Sequence, residues 1–169
     1  MRTSVVKYHG DFPHHDGFDL NSVRININEN NAYAPLTSWD KINELGWYWK
    51  AKKDSANDDI AAELLSRYQD VNDIVVLQNF VVEARTYLEG LLTGYFKNSP
   101  QEIREEMDLT NDEMWDLCSH IVGLGDVMYY YVVDHPDIVL TLKNDVRENF
   151  EYGFDKAIYE LQYAKTDAE

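Results

Sequence analysis

Apolar residues recur at helical spacing along most of the chain after residue 36. Ser38 is placed to cap a helix that continues to about Lys52, and a second amphipathic helix follows over DDIAAELLSRYQ. Asn72 opens DIVVLQNFVVEARTYLEGLLTGYF, which is long and apolar around most of its circumference. Because a surface helix carries a narrower apolar stripe, this segment is predicted to be the central helix of a bundle.

Two capping-box patterns predict helix starts in the second half of the chain. Ser99 is followed three residues later by Glu102, and Thr110 is followed at the same distance by Glu113. A last helix is predicted over about residues 137–164, where apolar residues again recur near helical spacing.

The first 36 residues follow a different pattern. The segments SVVKYHG and VRININ are typical of strands, and DFPHHDGFDLNS between them is rich in turn formers, so an N-terminal β-hairpin is the simplest assembly. The predicted fold class is therefore α+β, mostly α. A small β-hairpin region at residues 1–36 precedes a bundle-like, acidic helical region at residues 37–169 with one long central helix, and together they form one compact domain.

The chain carries 31 acidic and 15 basic residues, a formal net charge of −16. Residues 1–50 hold six acids and five bases, whereas residues 51–169 hold 25 acids and ten bases. This balance repels nucleic acids and anionic membranes, so direct binding to either is not expected. The sequence has no run of about 18 apolar residues and no signal-peptide pattern, which favours a cytoplasmic protein.

Residue types that build common catalytic centres are scarce. The single cysteine, Cys118, excludes an internal disulfide, and its place on an apolar helical face predicts a core residue. No nucleophile elbow, Walker loop or dinucleotide-binding glycine motif occurs. We therefore expect no cofactor and a binding role rather than an enzymatic one.

Two other stretches combine residues that occur in binding sites. The loop near the N-terminus holds side chains of the types that ligate divalent metals: Tyr8, His9, Asp11, His14, His15, Asp16 and Asp19. A solvated turn is the simpler interpretation of that loop, with a metal site as the alternative. GWYWKAKKD at residues 46–54 is superficially a base-stacking basic patch, but acids that follow it favour an amphipathic helix burying Trp47 or Trp49.

The stretch QEIREEMDLTNDEMWD, residues 101–116, contains seven carboxylates and one arginine. Like charges four residues apart on a helix destabilise it by a few tenths of a kcal/mol per pair, so folding alone does not account for them. The residues predicted to bind a partner are Glu102, Glu105, Glu106, Asp108, Asp112, Glu113 and Asp116, with Asp58, Asp59 and Glu63 as a second patch. The last helix repeats the pattern with Asp145, Glu148, Glu151 and Asp155.

One use for such a surface is to imitate the phosphate backbone of a nucleic acid. The partner would be a basic nucleic-acid-binding protein, and the inhibition would be competitive and steeply dependent on salt. A solvated face that serves only solubility is the alternative interpretation.

A Thr-Ser-x-x-x-hydrophobic-Asn-x-Leu helix followed by an acidic helix with a terminal aromatic spans residues 36–80, about a quarter of the chain. The matching residues are Thr37, Ser38, Ile42, Asn43, Leu45, Glu63, Leu64, Leu65 and Tyr68. This pattern resembles the central part of ArdA-type antirestriction proteins. The resemblance implies an elongated, dimeric DNA mimic that inhibits type I restriction enzymes.

A second resemblance involves LGDVMYY, residues 124–130, which is similar to the Gly-Asp-Val helix of MazG-type all-α nucleotide pyrophosphohydrolases. It implies a magnesium site with Asp126 as one ligand and Glu83, on an upstream helix, as another. Thr86 and Gly123 stand where that family has two further glutamates.

The main functional hypothesis is an acidic phage or mobile-element inhibitor that acts as a DNA mimic against a host defence enzyme of the restriction or CRISPR type. One alternative is a MazG-like nucleotide pyrophosphohydrolase, active or degenerate. Another is an immunity or antitoxin protein against a basic nuclease, which predicts a single tight cognate partner.

Overall fold

The computed structural model describes residues 2–5, 24–27, 36–146 and 148–167. The chain divides into two compact units, Met1–Thr37 and Ser38–Glu169. The first unit contains β1 (Arg2–Val5) and β2 (Arg24–Ile27), which pair in antiparallel orientation with Arg2 opposite Ile27.

The second unit is helical. Its helices are α1 (Ser38–Glu44), α2 (Trp47–Lys50), α3 (Ala56–Arg67), α4 (Val71–Lys97), α5 (Gln101–Glu106), α6 (Asn111–Gly123), α7 (Asp126–Asp134), α8 (Val139–Leu142) and α9 (Glu151–Asp167). Two 3-10 turns, Pro136–Ile138 and Lys143–Asp145, flank α8. None of the helices in the described part of the chain is both long and apolar enough to cross a membrane.

The expected α+β class is wrong, and so is the expectation of a β-hairpin as one layer of the fold. Residues 38–146 and 148–167 contain no strand, and the buried apolar side chains of this unit come from helices and their connections. The two strands of the first unit have four residues each, so the described part of the chain is mostly helical. The bundle with one long central helix is confirmed, since α4 packs against α1, α5, α6 and α9.

Two of the predicted helices are interrupted. Gly46 has a left-handed φ of 67°, which separates α1 from α2 where one helix was expected. The predicted last helix is broken between Asp145 and α9. At that break the buried side chain of Asn149 accepts a hydrogen bond from the backbone N–H of Glu151 at 2.9 Å, which satisfies one of the free donors at the start of α9.

Only one of the two predicted capping boxes forms. The hydroxyl of Thr110 accepts from the backbone N–H of Glu113 at 3.2 Å, and the Glu113 carboxylate accepts from the backbone N–H of Thr110 at 2.8 Å. The prediction for Ser99 is wrong, because its hydroxyl donates instead to the carbonyl of Tyr95 at the end of α4. Helix α5 therefore begins without a side-chain cap.

The core brings α2, α6 and the start of α9 together around Trp47. Trp47 and Phe150 are fully buried with ring centroids 5.1 Å apart, and Gly123 at the end of α6 lies directly against both rings. The predicted burial of Trp47 is thus confirmed, as is that of Cys118, whose thiol pKa is raised by burial.

Gly123 is required by this close packing. A methyl group at this position would lie 2.5 Å from Trp47 Cδ1 and 2.9 Å from Phe150 Cγ. We expect Gly123→Ala to lower the free energy of unfolding by about 1–3 kcal/mol, the usual effect of overpacking a core, as measured by urea denaturation.

The matched control is Gly94→Ala in α4, where a methyl group would meet no atom within 4 Å. This substitution should raise the free energy of unfolding by about 0.5–1 kcal/mol, because alanine is the better helix former. Equal effects of the two substitutions would contradict the described packing around Trp47.

His120 should make stability dependent on pH. Burial lowers its pKa to about 4, and Trp47 Nε1 donates to its Nδ1 at 3.0 Å, so the ring is neutral with its proton on Nε2. A histidine in the unfolded chain titrates near pH 6.5, so the unfolded state takes up a proton first as the pH falls. This contribution to stability is complete above about pH 6.5 and is lost towards pH 4.

Between pH 7.5 and pH 5 this effect amounts to a loss of about 2 kcal/mol in the free energy of unfolding. His120→Gln keeps an acceptor for Trp47 but cannot titrate, so its loss over the same interval should be smaller by that amount. Urea denaturation of both proteins at the two pH values measures the difference. Parallel losses would mean that His120 ionises normally in the folded protein.

Candidate functional site

Helices α5 and α6 and the loop between them display the acidic face, which we define as Glu102, Glu105, Glu106, Asp108, Asp112, Glu113 and Asp116. Six of these side chains are exposed and Asp116 is half-buried. The structure thus brings the first predicted patch together on two consecutive helices of one unit.

Carboxylates of the acidic face have no charged partner in the described residues. None of the seven forms an ion pair with a described lysine or arginine. The nearest cation identified by a bond is Lys143, and its ammonium donates to the backbone carbonyl of Glu106 rather than to a carboxylate. That bond stabilises the C-terminal end of α5 and neutralises none of the carboxylates. Arg104 is the one base within the segment; it lines a surface depression with Glu105 and Asp108 but forms no ion pair with a described carboxylate.

Local hydrogen bonds hold part of the acidic face in place. Glu113 is fixed by the capping box, and Asp116 Oδ1 accepts from Asn149 Nδ2 at 2.8 Å. Glu105 accepts from Gln101 Nε2 at 2.7 Å within α5. These bonds restrict the side chains without removing their charge.

The second predicted patch, on α3, is different because its main charges are paired. Asp58 forms an ion pair with Lys156 of α9, and Glu63 lies 2.8 Å from Arg67 Nη2 and 3.7 Å from Lys50 Nζ. A hydrogen bond from Arg67 is the main reason why the pKa of Glu63 is lowered. Asp59 accepts from the Ser55 hydroxyl at 3.2 Å. Two of the three carboxylates of the α3 patch therefore have a cationic partner, whereas those of the acidic face form no ion pair within the described ranges.

Trp115 is an exposed aromatic residue within the acidic segment, between Asp112 and Asp116 on α6. Its indole Nε1 donates to Glu151 Oε2 at 2.7 Å, and the guanidinium of Arg85 lies 4.7 Å from its ring centre. The indole is therefore held rigidly although 40% of it is exposed. A rigid, partly exposed tryptophan is the type of residue that contributes most to protein–protein interfaces.

Glu151 lies beneath the acidic face, although the sequence pattern placed it on a solvated face of the last helix. It is 4% exposed, and Arg85 Nε lies 2.8 Å from its Oε2. Ser119 and Trp115 of α6 both donate to the same carboxylate. Glu151, Phe154 and Ile158 are at i, i+3 and i+7, so Glu151 lies on the apolar face of α9. This spacing predicts its burial, whereas the series of acids along the helix suggested an exposed position.

Asp126 and Glu83, the two residues of the alternative magnesium site, do not line a common cavity. Asp126 at the start of α7 accepts from Asn43 Nδ2 at 3.0 Å and from the backbone N–H of Val127 at 2.9 Å. Glu83 is exposed on α4 and lines a cavity to which Asp126 does not contribute. No group of three or more His, Cys, Asp or Glu side chains in the described ranges is arranged to hold a metal ion. The N-terminal histidine and aspartate cluster lies outside those ranges.

No protein-family model, curated protein or solved structure matches this chain. Four of the nine residues that carry the ArdA resemblance have visible packing or pairing roles. Ile42, Leu45 and Leu64 are fully buried, and Asn43 pairs with Asp126. These contacts explain the residue types at those positions, and the family relationship stays a prediction.

We expect the buried ion pair under the acidic face to be essential for stability. Glu151→Ala leaves the 14% exposed side chain of Arg85 without its main partner and should lower the free energy of unfolding by about 3–5 kcal/mol. Replacing both residues by methionine should recover only part of that loss, because no buried charge is then left unpaired but Trp115 and Ser119 lose their acceptor. Urea denaturation of Glu151→Ala, of Arg85→Met and Glu151→Met, and of the double methionine variant provides the comparison. Additive losses would contradict direct coupling between Arg85 and Glu151.

Proposed function

We propose that this protein is an acidic inhibitor, encoded by a phage or another mobile element, that occupies the nucleic-acid-binding groove of a host defence enzyme of the restriction or CRISPR type. The observation that supports the proposal is the acidic face, where seven carboxylates on α5, α6 and the loop between them form no ion pair in the described residues. Most of these charges are exposed and available to a partner.

The spacing of these charges suits a groove that binds phosphates. Carboxylates at i and i+4 of a helix, such as Glu102 with Glu106 and Asp112 with Asp116, have Cβ atoms about 6 Å apart. DNA likewise presents phosphates every few ångströms along each strand, and lysine and arginine bind phosphates and carboxylates with similar geometry. A basic groove therefore finds a comparable series of acceptors on the acidic face.

Rigidity makes the acidic face more effective than a disordered acidic tail. The capping box and the Asn149 contact order the carboxylates of Glu113 and Asp116 before binding, so less conformational entropy is lost on association. Trp115 adds a fixed apolar surface among the charges. Charge supplies long-range attraction and Trp115 supplies short-range contact.

The positions of the basic residues favour the acidic face over the α3 patch as the surface that binds the partner. On α3, Lys156, Lys50 and Arg67 already neutralise Asp58 and Glu63. An arginine from a partner would have to displace those pairs, which reduces the net gain. We therefore assign the main contact to the acidic face and a minor role to the α3 patch.

Competition for DNA tests the proposal directly. Purified type I restriction enzymes, CRISPR effectors and a basic toxin nuclease are each bound to fluorescent DNA, and the protein is titrated in at several salt concentrations. We expect it to displace DNA from at least one defence enzyme, with an affinity that falls steeply as salt rises. Neutralising Glu106, Asp108 and Asp112 as Glu106→Gln, Asp108→Asn and Asp112→Asn should reduce the slope of log affinity against log salt by up to about three.

A control variant changes the net charge equally at exposed acids elsewhere: Asp54→Asn, Asp134→Asn and Glu160→Gln. It should compete like the unmodified protein, which separates a specific face from total charge. Failure to displace DNA from any of these enzymes would refute the proposal. Displacement from the toxin nuclease alone would identify an immunity protein instead.

A further inference from the structure

A second candidate site, separate from the acidic face, is a cavity between α1, α4 and α7 of the helical unit. A cavity of about 400 Å³, which we call the aromatic pocket, is lined mainly by aromatic side chains and one carboxylate. Its principal residues are Trp39, Phe80, Glu83, Tyr87, Tyr129 and Tyr130. The volume is within the range of pockets that bind small molecules.

Trp39 is the centre of the aromatic wall. Its ring centroid lies 5.1 Å from that of Phe80, in an edge-to-face arrangement, and 5.0 Å from that of Tyr129. The ring centroid of Tyr130 lies 5.9 Å from that of Trp39 and 5.3 Å from that of Tyr129, with an edge-to-face arrangement in both pairs. These contacts fix the four rings relative to one another, and all four line the same cavity.

Tyr129 anchors this wall to α4. It is 4% exposed, and its hydroxyl donates to the carbonyl of Ala84 at 2.8 Å. Burial raises the pKa of Tyr129 to about 12, so the phenol remains neutral and keeps this bond at ordinary pH. The wall is therefore built in advance of any ligand.

The rim of the aromatic pocket is open and negatively charged. Tyr87 and Tyr130 are 61% and 53% exposed, and Glu83 stands one helical turn before Tyr87 on α4. Glu83 forms no ion pair with any described lysine or arginine, and no basic side chain is among the described residues that line the cavity. The site thus offers π-faces and one free carboxylate to a cation.

We propose that the aromatic pocket binds the trimethylammonium group of a small molecule. Aromatic faces attract a cation through their quadrupoles, and Trp and Tyr are the most effective rings for this purpose. The carboxylate of Glu83 adds a complementary charge at the rim.

Hydrogen-bonding capacity favours a methylated ammonium over a lysine or arginine side chain. A lysine ammonium has three N–H donors and a guanidinium has five, all of which need acceptors when water is removed. The aromatic pocket offers one carboxylate and the hydroxyls of its exposed tyrosines, since the Ala84 carbonyl is already taken by Tyr129. A trimethylammonium group carries charge without donors, so this wall can desolvate it at lower cost.

Choline and tetramethylammonium are suitable probes, and 3,3-dimethylbutan-1-ol is the matched neutral control because carbon replaces the nitrogen of choline. The ligands are titrated by NMR, following the N-methyl or tert-butyl protons and the Trp39 indole resonance. We expect saturable choline binding, an upfield shift of its methyl protons from the ring currents, and roughly tenfold weaker binding of the alcohol.

Substitutions at the rim locate the binding. Tyr130→Ala should weaken choline binding roughly tenfold and Glu83→Gln roughly threefold. Tyr152→Ala removes a tyrosine of α9 with nearly the same exposure, 54%, and Glu160→Gln removes an exposed carboxylate of the same helix. Both control variants should bind choline like the unmodified protein.

Several outcomes would overturn the assignment. Equal affinity for choline and the neutral alcohol would make the aromatic pocket a general apolar cavity, and absence of saturable binding would remove it as a site. A trimethyllysine peptide that binds more than tenfold tighter than choline would transfer the site from small molecules to proteins. None of these results bears on the acidic face, which is tested by competition with DNA.

Discussion

The carboxylate of Glu151 is the point at which α4, α6 and α9 are joined. Arg85 reaches it from α4, while Trp115 and Ser119 reach it from α6. A buried ion pair is stabilising only when desolvation is offset by close charges and satisfied hydrogen bonds, and here several donors converge on one group. Because two of them belong to α6, this contact sets the rotation of that helix and therefore the direction in which its carboxylates point.

The small number of cations determines which acidic surfaces remain charged. With 15 basic residues against 31 acidic ones, fewer than half of the carboxylates in this chain can have a base of their own. Lys156 and Arg67 neutralise α3, and Arg85 serves the buried carboxylate and Glu89. At the end of α5, Lys143 binds the carbonyl of Glu106 instead, and Arg104 of the same helix forms no ion pair with a described carboxylate. The unevenness of the field thus follows from the placement of a few bases as much as from the number of acids.

The acidic face and the aromatic pocket attract cations by different physical means. Exposed carboxylates act at long range, are screened by salt and favour a partner with many charges. Aromatic walls act at contact and favour a single weakly hydrated cation, which salt affects less. Trp39 and Tyr129 in the pocket are ordered by packing and by the Ala84 carbonyl, whereas Glu113 and Asp116 are ordered by helix capping and Asn149.

The sequence by itself determined the features that depend on local spacing. The central helix α4, the capping box at Thr110, the burial of Cys118 and Trp47, and the exposure of the acidic segment all follow from periodicity, cap chemistry and charge within about one helical turn. Six of the seven carboxylates of the acidic face are exposed as the helical pattern indicates.

Tertiary structure alone decided features that depend on residues distant in the chain. The Ser99 hydroxyl turned to the carbonyl of Tyr95, and the last helix was interrupted where Phe150 enters the core against Trp47. Glu151 is buried because Arg85, 66 residues earlier, lies opposite it, and Asp58 is paired because Lys156 is brought to it from α9. Ion pairs and aromatic contacts of this kind join different helices. The hydrophobic period of one helix does not show which residues of another helix will pack against it.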